Sequence, residues 1–174
     1  MNVKEAIENR RSIRSYQDKA IPEDIISELI EAARLAPSGN NAQPWLYKII
    51  SDKKTINMLK DNKIFKQPFV YTAPTIIVCC ANPSAYPKKE FVEELDDSNE
   101  LRAVRDLGLS AQNLVLRATE LGIGTCYIGW VNKIKIKEVL NIPKEYIVPY
   151  VITIGYAASN PPERIKKEIK DILI

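Results

Sequence analysis

The sequence has no histidine in 174 residues. Ser-His-Asp and Cys-His catalysis both need an imidazole base, so neither is open to this chain. Zinc sites that use histidine are excluded too, and three cysteines cannot make a four-cysteine site. A strong excess of one charge is also missing. The 25 Lys and Arg residues against 22 Asp and Glu leave a net +3, too little to argue for nucleic acid or a membrane surface as partner. No apolar stretch approaches the roughly 20 residues of a membrane span. Met1 to Arg14 is polar and charged and lacks an apolar leader core. Cys79, Cys80 and Cys126 are odd in number, and two are adjacent in an apolar run. That suits packed thiols in a reducing compartment, so the expected location is cytoplasmic. No repeat or Gly/Ser/Pro-rich linker divides the chain, so residues 1–174 are expected to form one domain. Such a chain must do chemistry with carboxylates, lysines, tyrosines or a borrowed cofactor.

Local patterns then place the elements. Val3, Ala6, Ile7 and Arg10 predict a short helix over 3–10. Pro22 in a first turn, with Glu23 and Asp24 behind it, opens a second helix whose stripe is Ile25, Ile26, Leu29, Ile30 and Ala33; Pro37 and Gly39 stop it. Strands are expected over 45–50, 75–80 and 148–156, a strand or strand-like loop over 125–130, and short helices over 53–60 and 133–140. The run 75–80 is continuously apolar between Pro74 and Pro83, as in a buried strand. Residues 99–121 carry the longest helical pattern, apolar over a face wide enough to pack on more than one side, and Gly122 caps it. Residues 82–98 suggest a loop or lid, with Tyr86 and Phe91 as aromatic contacts or as packing beneath it. Ile165, Ile169 and Ile172 permit a final helix. Four strands and five or six helices without strict alternation predict an α+β fold.

Four segments can carry chemistry. Arg10-Arg11-Ser12-Ile13-Arg14 can bind a phosphate through bidentate guanidinium contacts, or it is a solvated basic turn. Pro37-Ser38-Gly39-Asn40-Asn41-Ala42-Gln43-Pro44-Trp45 offers uncharged donors and acceptors suited to a planar heterocycle, or is turn chemistry alone. Leu121 to Trp130 holds three glycines, which allow close backbone approach to something flat or bulky, or a cap and a tight turn. It is not the dinucleotide fingerprint, because Tyr127 stands where a glycine is required and the glycines follow a helix instead of opening one. In the fourth segment, Gly155 to Lys167, Arg164 or Lys166 can complete a phosphate site begun by Arg10; otherwise it is a solvated tail.

Taken in order, these segments resemble the FMN-dependent nitroreductase family over nearly the whole chain. The Arg-Arg-Ser-Ile-Arg box, the Pro-Ser-Gly…Gln-Pro-Trp segment, the helix start Asp106-Leu-Gly-Leu-Ser-Ala-Gln-Asn-Leu and the Leu121–Gly129 loop each match a family box, with Tyr127 in place of Trp. The resemblance implies a central, mostly antiparallel sheet flanked by helices, in an intertwined homodimer with FMN at each subunit interface. Arg10, Arg11, Ser12 and Arg14 would surround the phosphate and ribityl groups, with Arg164 reaching in from the C-terminal segment. Pro37, Ser38, Gly39 and Asn41 would come from the other subunit. Tyr127, Ile128 and Gly129 would lie along the isoalloxazine ring. One pair departs from the pattern: the family often has Asn-Gln where this chain has Lys66-Gln67. Gln67 is carried over as a flavin contact, whereas Lys66 either loses the contact or supplies a cation near the ring. The implied activity is ping-pong reduction of nitroaromatics, quinones or related small acceptors by NADH or NADPH, with no side-chain acid or base required and no metal. Relatives that dehalogenate reductively or break down the flavin, and a non-catalytic FMN-binding protein, are the alternatives.

Overall fold

The strand Thr75–Ala81 has no polar face, and its place in the molecule explains why. The computed structural model describes residues 1–86 and 98–174; Phe91 and most of the expected loop or lid lie outside the described residues. Four strands, β1 (Trp45–Ile50), β2 (Thr75–Ala81), β3 (Gly124–Ile128) and β4 (Ile147–Gly155), pair antiparallel in the order β1-β2-β4-β3. All of β2 is buried. Its Ile77, Cys79 and Ala81 join one core, and Ile76, Val78 and Cys80 the other. Successive side chains point to opposite faces, so a strand covered on both sides shows no alternation. The adjacent Cys79 and Cys80 therefore lie on opposite faces of the sheet, and all three cysteines are free. Burial pushes the Cys79 thiol up strongly and the Cys80 thiol up to about 11.

Helices cover both faces. On one, α2 (Glu23–Arg34) and α4 (Asn99–Glu120) pack Leu29, Ala33, Leu107 and Leu114 against Ile77, Ile152 and Ile154. On the other, α3 (Lys53–Asp61) and α5 (Lys133–Val139) bring Ile56, Leu59 and Ile136 to Ile76, Val78 and Val151. The short α1 (Val3–Asn9) opens with a capping box between Asn2 and Glu5. Asp52, Ser98 and Asn132 likewise accept from backbone N–H groups at the starts of α3, α4 and α5. Gly122, at φ 72°, turns the chain out of α4. The architecture is the expected α+β arrangement of helices around an antiparallel sheet.

Two expectations are corrected. Pro22 is the N-cap of α2, one position before the helix it was expected to start. After Pro161-Pro162 there is no α-helix, only a 3-10 turn at Ile169–Asp171. Ile165, Ile169 and Ile172 are 99%, 74% and 65% exposed. An isolated segment this short is a marginal helix in water, and the chain offers this stripe no surface to bury it.

A strap over residues 11–17 lies along the outer edge of β3 and the end of β4. Ile13 N–H donates to Thr125 O at 2.9 Å, and Gln17 N–H to Tyr156 O at 2.9 Å. Glycines make room for it. A Cβ at Gly124 would sit 2.6 Å from Ile13 Cγ1, and one at Gly155 would sit 2.6 Å from Tyr16 Cδ1. The Tyr16 hydroxyl donates to Ile13 O at 2.7 Å, which ties the strap to itself.

Candidate functional site

The strap begins where α1 ends, and that junction gathers the arginines. Arg10, Arg11, Ser12, Arg14 and Arg164 line one cavity of about 220 Å³, together with Glu163 and the proline pair before it. Arg164 Nη2 donates to Ile7 O and Glu8 O at 3.1 and 2.8 Å, while Arg11 Nη1 reaches the same Glu8 O at 2.6 Å. Carbonyls at a helix C-terminus attract cations, which holds two guanidiniums there. Arg10 Nη1 reaches Ser12 Oγ only at 3.5 Å, and Arg14 Nη1 reaches Ser12 O at 3.5 Å. No ion pair among the described residues uses any of the four arginines. Burial, then the nearby Arg164 charge, hold the Arg10 guanidinium below its ordinary value. Guanidiniums gathered without carboxylate partners beside a hydroxyl are a donor set that a phosphate dianion fits. Residues 10–14 and Arg164, far apart in sequence, thus meet as expected; Lys166 does not line this cavity.

Tyr127, Ile128 and Gly129 continue along the same edge, past the strap. The Tyr127 ring is half-buried and meets Tyr150 edge-on, with centroids 5.2 Å apart. Ile128 points its side chain into the core beside Cys126 and Ile136, so only its backbone faces outward. Gly129 is exposed, and a Cβ there would meet nothing within 4 Å. The close approach expected of this glycine group belongs to Gly124, and what approaches is Ile13 of the same chain. Phe65 pairs with Val131, which brings Lys66 and Gln67 to this end of the sheet. Gln67 Oε1 is buried with no hydrogen-bond partner among the described residues. An orphaned buried acceptor is costly, so this one awaits a donor. Lys66 Nζ sits 5.5 Å over the exposed Trp130 ring.

Pro37, Ser38, Gly39 and Asn41 lie elsewhere. Their segment leads into β1, whereas the arginine strap pairs with β3, and these are the two opposite edges of the sheet. Three strand spacings make that roughly 14 Å. A single chain therefore carries the two expected halves of the site on separate edges. The segment makes a 3-10 turn at Gly39–Asn41 and puts Asn40, Asn41 and Gln43 at φ 55°, 52° and 48°. Ser38 Oγ accepts from Gln43 N–H at 2.9 Å.

Beneath this loop is Asp106 of α4, which opens one of the resembling sequence boxes and whose carboxylate has no expected role there. It is 3% exposed. Gly39 N–H and the Tyr86 hydroxyl donate to its Oδ2 at 2.7 and 2.6 Å, and Arg105 Nε lies 3.5 Å from Oδ1. Burial pushes the carboxyl up, but the bonds from Tyr86, Gly39 and Arg105 outweigh it, and the group lies below the ordinary carboxylate value. Tyr86, read as a cavity aromatic or as packing, is buried and committed to Asp106. The available signal was a charge on a helix stripe otherwise made of Ala103, Leu107, Ser110 and Leu114.

Known proteins resemble this chain in sequence and in fold. The model described as the Nitroreductase family matches residues 7–64 and 58–156. A protein of Methanothermobacter thermautotrophicus, provisionally named NADH dehydrogenase/NAD(P)H nitroreductase, is 31% identical over 169 residues, covering 94% of this chain and 82% of that one. The Bacillus subtilis FMN reductase (NADPH) is 31% identical, over 91% of this chain and 67% of its own length. Among solved structures, a provisionally assigned nitroreductase of Exiguobacterium sibiricum, determined in complex with FMN, matches 100% of this chain and 97% of that one. The TM-score is 0.89 at 23% identity, a likeness of fold. No helix among the described residues is long and apolar enough to cross a membrane.

Proposed function

The chain belongs to the nitroreductase family of oxidoreductases, and from that premise we propose that residues 1–174 form one FMN-binding domain that reduces small acceptors with NADH or NADPH. The observation that carries this reading is the single cavity lined by Arg10, Arg11, Ser12, Arg14 and Arg164, whose guanidiniums make no ion pair among the described residues. These residues would hold the phosphate. Gln67, with its orphaned Oε1, would accept a hydrogen bond from the ring system, and Tyr127 to Gly129 would lie along it. Pro37, Ser38, Gly39 and Asn41 would be supplied by the partner subunit of a homodimer, since they stand on the far edge of their own sheet. When bound, FMN supplies the two-electron chemistry between nicotinamide and acceptor. The protein's part is to bind, orient and exclude water, with donor and acceptor using one cavity in turn. The absence of histidine fits a site whose side chains need not carry a proton. Nitroaromatics and quinones are the acceptor class, and the free thiols are consistent with a cytoplasmic home.

The test is direct. Purified protein titrated with FMN is expected to quench flavin fluorescence saturably. NADH or NADPH should then bleach the bound flavin under anaerobic conditions, and a nitroaromatic or quinone should restore its colour. No saturable FMN binding overturns the reading. Bleaching without reoxidation by any acceptor leaves flavin binding and removes the reductase.

A further inference from the structure

A carboxylate in the middle of an apolar helix face needs hydrogen bonds, because a buried charge without them costs several kcal/mol. Asp106 receives its two short ones from outside its own helix, from Gly39 N–H and the Tyr86 hydroxyl. One turn earlier on α4, Arg102 stacks on the Tyr86 ring at 4.2 Å and donates from Nη2 to Asn40 Oδ1 at 3.0 Å. Two successive residues of the Pro37–Asn41 loop are therefore clasped by two residues four apart on a rigid 22-residue helix. The loop needs such a clasp. Asn40, Asn41 and Gln43 occupy the left-handed region, which L-residues adopt at a cost. What the clasp leaves outward is Asn41, exposed and with no side-chain hydrogen bond among the described residues.

We propose that Asp106 is a positioning residue: its buried carboxylate fixes the backbone at Gly39 so that the Pro37–Asn41 loop is already in shape to complete the FMN site. This inference rests on the function proposed above. Tyr86 shares the task by orienting the carboxylate, and Arg102 by holding Asn40. The clasp acts before any ligand arrives, so its effect is measurable in the protein without FMN.

Asp106→Ala, Asp106→Asn and Tyr86→Phe in the full chain test it with two readouts. In the apoprotein, the Gly39 amide is expected to exchange hydrogen much faster in Asp106→Ala than in wild type, while core amides of β2 keep their protection. FMN affinity, measured by fluorescence titration, is expected to fall roughly tenfold or more, as follows from losing a hydrogen bond to a buried charge. Asp106→Asn should restore part of the affinity, because its amide oxygen can still accept from Gly39. Tyr86→Phe should lose less than Asp106→Ala. If Asp106→Ala does not fold, the other two variants carry the test. Unchanged Gly39 exchange, or wild-type FMN affinity in every variant that folds, overturns the proposal. Failure of the wild-type chain to bind FMN overturns the function instead, and is told apart by the exchange data.

Discussion

Arg10, Arg11, Arg14 and Arg164 make no ion pair among the described residues, and in the apoprotein the charges of Arg164 and Arg11 repel that of Arg10. Removing two of them relieves that repulsion. Arg10→Ala with Arg14→Ala is expected to leave the apoprotein's melting temperature unchanged or slightly raised, yet to weaken FMN binding by roughly tenfold or more, since bonds between charged groups are worth about 1.5–3 kcal/mol each. A variant that loses stability and keeps its flavin affinity would remove these arginines from the phosphate site. Asp106 gives the opposite signature. Its carboxyl is held below the ordinary value in the folded chain, so its contribution is complete above that value. The contribution is lost as pH falls below about 4, through the lowered native value. Acid unfolding should therefore be steeper for wild type than for Asp106→Asn, and equal slopes would mean the carboxylate is not linked to folding. The two cases also differ in how far they could be read. The arginine box is five consecutive residues, whereas Asp106 meets Gly39 and Tyr86 across 67 and 20 positions, a closure that no local pattern encodes.

At the scale of elements, the strap is where fold and site become one structure. Its arginines stand where they do because Ile13 pairs with Thr125, and Ile13 can approach only because residue 124 has no side chain. Gly124→Ala would place a Cβ 2.6 Å from Ile13 Cγ1 and 3.1 Å from Gly155 O. Such overpacking typically costs 1–3 kcal/mol. The variant should melt several degrees lower, and it should also bind FMN less tightly because the strap must lift. A control, Gly108→Ala in α4, has open space around it and should do neither. If Gly124→Ala matches that control in affinity, the strap does not position the arginines. The glycines around 124 could be read as a site of close approach, but not what approaches, because Ile13 and Thr125 are joined only by the tertiary fold. The buried strand β2 was legible from its unbroken apolar run, and α4 from its wide apolar face. The final helix that the tail spacing permits does not form, for a related reason. Spacing of Ile165, Ile169 and Ile172 suggests a stripe, but a stripe becomes a helix only against a surface, and these residues have none in the chain.

For the whole molecule, the proposed homodimer would join what one chain keeps apart. The arginine strap lies on β3 and the Pro37–Asn41 loop leads into β1, at opposite edges of one sheet. The exposed isoleucines of the tail, together with the exposed Ile174 and Leu173, are apolar surface that a partner would cover. If each FMN site takes its arginines from one subunit and its loop from the other, two defective chains should repair each other. One chain carries Arg10→Ala and Arg14→Ala with an intact loop; the other carries Ser38→Ala and Asn41→Ala with intact arginines. Each homodimer then has only damaged sites. In the mixed dimer, one site combines the intact arginines of the second chain with the intact loop of the first, and the other site receives both sets of damage. Co-refolded chains, separated by different affinity tags, are therefore expected to bind FMN with wild-type affinity at one site per dimer and to regain reductase activity. A site built within one chain predicts the reverse, because every site in the mixture would then carry one defect. Sedimentation of the purified mixture shows whether dimers formed. Dimers without restored FMN binding would place the loop and the arginines of each site on the same chain.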